Sequence, residues 1–481
     1  MRGLISTLLV SMITLANAAH ADVEISGKPT SNMNCVSGVC TATANKAVLN
    51  VSDLANMLAS GDVAVKTGSL AKDIDIDKEL TWSSTSRLTL DAQQSVTLKK
   101  QITVAGQGAL TVTTNDTGGA KAKTKTGEFI IVPERGSVQF WDLGSSLTID
   151  GNSYTLVGDI KTLASDIAAN PSGFYALAKP YDASVDGTYS TSPVQTQFNG
   201  TFEGLGNTVS ALALQLTGHG SLDGLFALIG PQGRLQDIGV VNGSLKAAQD
   251  NGIGLLAGSN NGGIATCWAS GFINVFHGVG AGGLVGSNQG LIANSHADVR
   301  LTGFATRMGG LVGYNYTTGI TVSSYAFRSI ALRNDNEDDV GGLVGENLGA
   351  VQNSFARNHV ADGKNSDSNF GGLVGQNDDG ARIENTYAAG RITIKGSGLV
   401  GGLIGFDAAE PGSIATSYWD LDQGVSDQTR GAGNIKNDPG IQGLTTEQMQ
   451  TALPKGFSPK IWGQNPKVNA GFPYLLTAPP H

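Results

Sequence analysis

The chain has 481 residues, a formal net charge of −9 and 67 glycines, and only 15% of its residues are charged. This acidic balance argues against nucleic acid or an anionic membrane surface as the main partner. Glycine is used about twice as often as in average proteins, but 40% of the residues are hydrophobic, which indicates an apolar core rather than a disordered chain.

Residues 1–21 have the pattern of a secretory signal peptide. Arg2 gives a basic start, residues 4–15 form an apolar stretch, and Ala19-His20-Ala21, with small residues at its first and third positions, precedes Asp22. The apolar stretch is too short to span a membrane. We therefore expect the mature chain to be exported without a transmembrane segment, to the extracellular space or the cell surface, with the periplasm as the alternative.

The cysteines stand at positions 35, 40 and 267. Cys35 and Cys40 enclose a Val-Ser-Gly-Val turn, and an oxidising compartment favours a disulfide between them over two free thiols. No His, Asp or Glu lies between them to complete a metal site. Cys267 stands next to an aromatic position of the repeat described below, which predicts a buried thiol.

The N-terminal region, residues 22–160, is predicted to form β-helical coils with a helical cap. Residues 52–58 have the apolar spacing of a short helix, and such a helix can cover the first coil of a solenoid. Over residues 88–149, apolar and polar residues alternate between Gly, Asn and Asp turns, as in strands with one buried face. The basic run 121–125 is predicted to be a solvated loop.

Residues 161–197 are predicted to be a helical and irregular insertion. A helix is expected over 162–169, because Asn170 and Pro171 end it. The remainder of the segment is polar and irregular. It therefore separates the N-terminal region from a second, more regular one.

This second region, residues 198–425, contains a tandem repeat. A five-residue phrase, Gly-Gly-Leu-Val-Gly, recurs with small variations, and its central leucines are Leu256, Leu284, Leu311, Leu343, Leu373 and Leu403. Successive leucines are 27 to 32 residues apart. A period of this length is typical of solenoid proteins.

Each copy of the repeat has an equally regular second half. A polar residue follows the phrase at Asn260, Asn288, Asn315, Asn347, Asn377 and Asp407. A predicted inward aliphatic side chain comes next, at Ile264, Ile292, Ile320, Val351, Ile383 and Ile414. A ring then follows at Trp268, His296, Tyr325, Phe355, Tyr387 and Tyr418. The ring comes four residues after the aliphatic, except in the third copy, where it comes five residues after it.

These patterns predict an all-β fold, a right-handed parallel β-helix with one coil per repeat. Each copy offers two or three strand-sized apolar runs and no helical periodicity, and a propeller blade would need four strands. Coils stack about 4.8 Å apart, so equivalent residues form columns. Leucines and aliphatics are expected inside, with asparagines and rings in stacks of their own. About fifteen coils would make a rod on the order of 70 Å long.

Residues 426–481 are predicted to form a C-terminal cap. A capping threonine predicts a short helix within 443–449. The aromatic residues between Trp462 and Tyr474 are expected to cover the last coil.

The repeat also resembles a known motif. Residues 371–377 are Gly-Gly-Leu-Val-Gly-Gln-Asn and residues 383–388 are Ile-Glu-Asn-Thr-Tyr-Ala, a pattern similar to the GLUG motif of filamentous-haemagglutinin-like exoproteins, autotransporter passengers and the stalks of some immunoglobulin-A proteases. Residues 198–209 and 462–475 are similar to the sequences that open and close such arrays. The resemblance implies a secreted or surface-exposed adhesin-like binding or structural protein, with host or cell-surface glycans or proteins as partners.

No motif for catalysis, cofactor binding or metal binding stands out in the sequence. The chain has no His-Glu-x-x-His, no phosphate-binding loop and no calcium-type glycine–aspartate repeat. We therefore predict no catalytic residue, no cofactor and no metal, and expect that the protein is not an enzyme.

The alternative function depends on carboxylate side chains that could act as catalytic groups. Some β-helices are polysaccharide lyases or glycoside hydrolases, and such chemistry uses paired carboxylates. Two acidic clusters are candidates, namely Asp335, Glu337, Asp338 and Asp339 in one repeat and Asp420 with Asp422 after the last. A solvated loop and a simple turn, respectively, are the favoured interpretations. A carbohydrate-active β-helix enzyme is thus the alternative to an adhesin-like protein.

Overall fold

A computed structural model describes residues 22–116, 127–216, 220–248, 250–333, 338–362 and 368–480. Its strands stack in parallel coils that form a β-solenoid of about 12 turns, which confirms the prediction of an all-β parallel β-helix. The expected number of coils was too high, because the helices and the C-terminal segment use chain length without adding a turn.

The helices of the described residues lie close to the segments that the sequence predicts. The α-helices are Val51–Leu58 (α1), Ile160–Ala169 (α2) and Thr446–Thr451 (α3), and the 3-10 helices are Ala183–Asp186 and Asn469–Gly471. α1 buries Leu54 and Leu58 in the first core. α2 buries Ile160, Leu163 and Ile167 in the second core, where the second β-helix begins.

The first β-helix uses strands β1 to β14. These are Asp22–Ser26, Met33–Val36, Val39–Ala42, Ala47–Asn50, Val63–Lys66, Asp73–Ile76, Leu80–Trp82, Arg87–Asp91, Val96–Leu98, Gln101–Val104, Ala109–Thr113, Phe129–Ile131, Ser137–Phe140 and Ser146–Ile149. One sheet has the order β4-β1-β6-β9-β12 and a second has the order β7-β10-β13. The third, β2-β3-β5-β8-β11-β14, continues into the second β-helix.

The second β-helix begins with β15 to β24 and continues through the repeats. The first ten strands are Asn152–Val157, Phe174–Leu177, Tyr181–Asp182, Thr188–Tyr189, Thr201–Glu203, Thr208–Ser210, Ala213–Gln215, Leu222–Asp223, Phe226–Ile229 and Arg234–Gln236. Strands β25 to β39 are Gly239–Ala247, Asp250–Ile253, Ala257–Asn260, Gly263–Ala265, Trp268–Val275, Gly278–Gly282, Val285–Asn288, Leu291–Ala293, His296–Gly303, Arg307–Gly309, Val312–Asn315, Ile320–Val322, Tyr325–Leu332, Asp339–Gly341 and Val344–Asn347.

The last strands complete the array and the C-terminal segment. Strands β40 to β54 are Ala350–Gln352, Phe355–Ala356, His359–Asp362, Asn369–Gly371, Val374–Asn377, Arg382–Glu384, Tyr387–Ala388, Ile392–Thr393, Leu399–Gly401, Ile404–Asp407, Ile414–Ala415, Ser417–Asp420, Ile441–Leu444, Trp462–Gly463 and Tyr474–Leu475. The sheet that began in the first β-helix runs on through β15-β16-β19-β24-β28-β32-β36-β40-β45-β50. We call this 16-stranded sheet the shared sheet.

The hydrophobic core changes sides of the shared sheet between the two β-helices. β14 and β15 pair antiparallel through the two-residue turn Asp150-Gly151, and both turn residues have positive φ. In β16, Ala176 packs in the first core, whereas Tyr175 and Leu177 pack in the second. Parallel crossovers are almost always right-handed. Reversing the strand direction and moving the core to the opposite face together preserve that hand.

The glycines of the repeated phrase set the distance between two further sheets, the one that contains β38 and the one that contains β39. In one repeat, β38 ends at Gly341 and β39 begins at Val344 after a tight arch, so the two strands lie against each other. A Cβ on Gly345 would lie 2.5 Å from the Gly313 carbonyl oxygen and 2.7 Å from the Met308 amide nitrogen. Close packing leaves no room for a side chain there.

Replacing Gly345 by alanine should therefore lower the free energy of unfolding by several kcal/mol, because backbone rather than a flexible side chain must move. Gly263 is the matched control, since its Cβ would meet only Arg234 Cγ, at 4.0 Å. Urea denaturation of both variants checks this prediction. Equal losses at the two positions would contradict it.

The leucine and asparagine columns are confirmed. All six central leucines are fully buried. The asparagine side chains are also buried, and each Nδ2 donates to the Oδ1 of the next coil at 2.8 or 2.9 Å, from Asn260 through to Asp407. This ladder satisfies amide groups that would otherwise be buried without partners.

The aliphatic column needs one correction. Ile320 is 37% exposed, and Thr321 takes its place, because Thr321 pairs in register with Ile292 and Val351. Thr321 comes six residues after Asn315, just as Ile383 comes six residues after Asn377, so the inward position is one residue later than predicted. From Thr321 the ring follows after four residues, as in the other copies.

The Thr321 hydroxyl is buried and finds no hydrogen-bond partner in the described part of the chain. Replacing Thr321 by valine should raise the free energy of unfolding by about 1 kcal/mol, because an unsatisfied polar group is removed. The same change at Thr386 should lower it, since the Thr386 hydroxyl bonds the Ser417 hydroxyl at 3.0 Å. Thermal or chemical denaturation would contradict the assignment if the two changes had the same sign.

The ring column is confirmed from Trp268 to Tyr387, whereas the Tyr418 ring packs edge-on against Phe457. The rings of His296, Tyr325, Phe355 and Tyr387 stack with centroids 4.7 to 4.9 Å apart.

The cover of the column differs from the expectation. Residues 430–444 close the last coil. The rest of the C-terminal segment turns back along the outside, where Trp462 packs on the ring column. The aromatic residues therefore cover the side of the array rather than its end.

Candidate functional site

A cleft of about 1200 Å³ lies where the two β-helices and the C-terminal segment meet. We call it the junction cleft. One wall consists of residues 127–135, which include β12. The floor is the outer face of the shared sheet, from Tyr154 to Val322, and Ile461 with residues 476–479 forms a third side. The floor lies outside the hydrophobic core because the core has moved to the opposite face of this sheet.

A buried carboxyl pair, Glu203 and Asp237, lies at the floor. The two side chains are 3% and 5% exposed and hydrogen-bond to each other, and Glu203 Oε1 also accepts from the Leu205 amide at 3.1 Å. Burial raises the pKa of Glu203 to about 7, and burial together with the Glu203 charge raises the pKa of Asp237 well above its usual range. A hydrogen bond between carboxyl groups requires a proton, so the pair retains at least one near neutral pH.

Four cationic side chains line the junction cleft, namely Lys99, Lys100, Arg135 and Arg234. Lys99 pairs with Asp75 and Asp77 at 2.7 and 3.1 Å. Lys100, Arg135 and Arg234 are exposed, and they make no salt bridge within the described residues. Three cations are thus available to a ligand, in a lining that also includes the carboxyl groups of Asp77, Glu128 and Asp150.

Residues 366–393 match the family model described as the GLUG motif. The chain carries a GLUG motif. No curated protein and no solved structure matches the chain. The GLUG phrase recurs on neighbouring coils of the second β-helix, and those coils supply the part of the cleft floor that includes Ala293 and Val322.

The first acidic cluster from the sequence lies in a GLUG coil, away from the cleft. Asp335 and Glu337 fall outside the described residues. Asp338 and Asp339 are 6% and 9% exposed, so the expectation of a solvated loop was wrong for them. Asp339 Oδ1 accepts from Asn369 Nδ2 at 2.9 Å, and burial raises its pKa to about 6. These two carboxyl groups are part of the packed structure of the coil.

The second cluster holds a helix in place. Both carboxylate oxygens of Asp420 contact the Thr446 hydroxyl, at 2.8 and 2.9 Å, and Asp422 Oδ2 accepts from the Thr446 amide at 2.8 Å. The pair therefore fixes the start of α3 to the last GLUG coil. Neither Asp420 nor Asp422 lines the junction cleft.

The sequence interpretation missed Glu203 and Asp237. Asp237 occupies the corner position that Thr266, Asn294 and Ser323 fill on the next coils, all with positive φ. The sequence signal that could have indicated this site is an acidic residue at a corner position that neutral residues occupy in the following coils. Its pairing with Glu203 depends on the register of coils that precede the regular repeat, which the sequence alone does not give.

The remaining predicted features have separate locations. A disulfide joins Cys35 to Cys40 across the β2–β3 hairpin, and Cys267 is a buried free thiol. Residues 1–21 and 121–125 lie outside the described ranges. No helix in those ranges is long and apolar enough to cross a membrane. In the same ranges, no three His, Cys, Asp or Glu side chains converge to hold a metal.

The buried acids predict an unusual dependence of stability on pH. Burial raises the pKa of Glu203 to about 7, of Asp223 to about 8 and of Asp438 to about 7, with Asp250 and Asp407 as the respective partners of the last two. The unfolded chain loses these protons near pH 4, whereas the folded chain keeps them longer. The free energy of unfolding should therefore fall as the pH rises from about 5 to about 8.

Urea denaturation at several pH values checks this direction. The double variant Glu203→Gln/Asp237→Asn should show a weaker fall, because its floor pair no longer ionises. Stability that increases steadily across this window in the unmodified chain would contradict the assignment of shared protons.

Proposed function

We propose that this chain is an exported, adhesin-like binding protein that holds its ligand in the junction cleft. The observation that carries the proposal is the cleft itself, an opening of about 1200 Å³ bounded by three separate parts of the chain. Ligand sites are usually large concave pockets with a few convergent polar groups on an apolar surface. Export is supported by the signal-peptide pattern of residues 1–21.

The lining of the cleft suits non-covalent binding. Phe129 and Leu291 supply apolar surface, and Arg135 and Arg234 supply charged donors without internal partners among the described residues. A patch that combines apolar area with oriented arginines is typical of recognition surfaces. The lining also holds five carboxyl groups, those of Asp77, Glu128, Asp150, Glu203 and Asp237, so the cleft offers charges of both signs to a ligand.

Binding of the purified, fluorescently labelled chain to cell surfaces and to arrays of extracellular proteins and glycans tests this function. We expect saturable binding that falls by about ten-fold in the double variant Arg135→Gln/Arg234→Gln, because two charge-assisted contacts are lost. The matched control is Lys246→Gln/Arg300→Gln, which removes two exposed cations from the sheet that contains β25 and β33. No saturable binding, or equal binding by both double variants, would contradict the proposal.

A carbohydrate-active enzyme is a second candidate, favoured by the Glu203–Asp237 pair at the cleft floor. A carboxyl group that keeps its proton near neutral pH can act as a general acid, which protonates the leaving oxygen of a glycosidic bond. Incubation with acidic and neutral polysaccharides, followed by measurement of new chain ends, separates the candidates. Depolymerisation that Asp237→Asn abolishes would establish the enzyme, whereas the binding function predicts no release of sugar.

A further inference from the structure

Two rows of uncharged side chains cross the floor of the junction cleft, with one residue from each coil. The first row, on the strands of the shared sheet, pairs in register and consists of Gln236, Ala265, Ala293 and Val322. The second row stands at the corner that follows each strand and consists of Thr266, Asn294 and Ser323. We call them the floor rows.

The floor rows offer polar groups that the protein does not use itself. The side chains of Gln236 and Thr266 are half-buried, and neither makes a hydrogen bond with another described residue. The Ser323 hydroxyl also finds no partner in those ranges. Asn294 Oδ1 accepts from the Thr477 hydroxyl at 2.9 Å, and Asn294 Nδ2 stays without a partner in the described part of the chain. Hydroxyl and amide side chains both donate and accept hydrogen bonds.

The spacing of these groups follows from the stacking of the coils. Equivalent residues lie about 4.8 Å apart along the axis, so the corner row presents one polar side chain at each step. Ala265 and Ala293 project little from the sheet and leave room above them. An extended ligand that runs along the axis would lie over these alanines and meet a new corner residue on each coil.

The backbone of the floor is not free to bind a ligand. The strands of the shared sheet pair with the coils on both sides. The Thr266 amide donates to the Ala293 carbonyl at 3.0 Å, and the Asn294 amide donates to the Val322 carbonyl at 3.2 Å. Recognition at the floor therefore depends on side chains.

The charges of the lining do not favour a ligand of either sign. Four cations and five carboxyl groups line the junction cleft, and the Glu203–Asp237 pair keeps at least one proton near neutral pH. A strongly anionic ligand would meet the carboxylates, and a strongly cationic one would meet the lysines and arginines, each at a cost in free energy. An uncharged ligand avoids both.

We propose that the floor rows bind an extended, uncharged oligosaccharide that lies along the axis of the second β-helix. This inference rests on the proposed binding function and names its ligand class. Sugar hydroxyls donate and accept hydrogen bonds, so they match the amide and hydroxyl groups of the floor rows. The C–H faces of sugar rings pack on apolar and aromatic surface, which Phe129, Tyr154 and Leu291 supply in the same cleft.

Isothermal titration calorimetry with defined oligosaccharides tests the ligand class. The probes are hexasaccharides of β-1,4-linked glucose, mannose, xylose and N-acetylglucosamine and of α-1,6-linked glucose, with heparin and hyaluronan hexasaccharides as charged comparators. We expect saturable binding of at least one uncharged probe, tighter than that of either comparator. Its dissociation constant should change less than two-fold between about 0.1 M and about 1 M NaCl, because no charge of the ligand is screened.

A double variant tests the polar groups of the floor rows. Gln236→Met/Thr266→Val keeps the size of both side chains but removes their hydrogen-bonding groups, and it should weaken binding of that probe by about ten-fold. The matched control is Gln352→Met/Thr416→Val. Gln352 continues the first row and Thr416 stands at the same kind of corner, but neither lines the cleft. Equal binding by the two double variants would overturn the proposal.

A second pair of variants tests the room above the floor without changing a polar group. Ala265→Leu fills the space over which the ligand is expected to lie and should abolish binding. Ala350→Leu makes the same change on the same sheet outside the cleft and should leave the dissociation constant within two-fold of that of the unmodified chain. Unchanged binding by Ala265→Leu, with folding of both variants checked by circular dichroism, would contradict the assignment of the site.

The same measurements separate this inference from the proposed function. Saturable binding to cell surfaces or extracellular proteins, without binding of any uncharged probe, would overturn the ligand class and leave the binding function standing. Tighter binding of heparin or hyaluronan than of every uncharged probe would also overturn it. Binding of an uncharged probe in solution that Ala265→Leu abolishes, without binding to any cell surface, would support the site and remove only the adhesin role.

Discussion

The structure depends on the pairing of backbone hydrogen-bonding groups between successive coils. Each coil supplies hydrogen-bond partners for the backbone groups of the coil before it. The stack can therefore stop only where other groups cover the exposed strand edges. At the N-terminal end, Ser31 bonds back to Val48, and α1 packs nearby. At the C-terminal end, residues 430–444 cover the last coil. The junction cleft arises at the internal end, where β13 and β14 are covered and β12 is the last strand of its sheet.

Glycine determines the shape of the coils on which this pairing operates. The phrase glycines allow two strands of one coil to approach at backbone distance, and they direct the central leucines into the core. The asparagine ladder and the ring stack then fix the coils in one register. A shift by one residue, as at Thr321, is absorbed in a turn. The outer face of the shared sheet in the second β-helix forms the floor of the junction cleft.

Much of this architecture could be predicted from the sequence, and the limits have physical causes. The columns of leucine, asparagine and rings repeat with a fixed period, so their stacking followed from the spacing. Asp150-Gly151 was a signal for a tight hairpin that the sequence interpretation did not use, and the change of core side follows from it. Glu203 and Asp237 lie on coils without the regular phrase, so the spacing of residues in the sequence could not predict their contact. Asp338 was misassigned because local acidity does not reveal burial.

Residue-resolved amide hydrogen exchange along β12 tests the central claim most directly, because it reports which backbone groups are paired. The amides of Ile130 and Val132 face β9 and should exchange slowly, whereas that of Phe129 faces the junction cleft and should exchange quickly. Protection of the Phe129 amide equal to that of Ile130 and Val132 would contradict the account, since it would mean that β12 is not the last strand of its sheet.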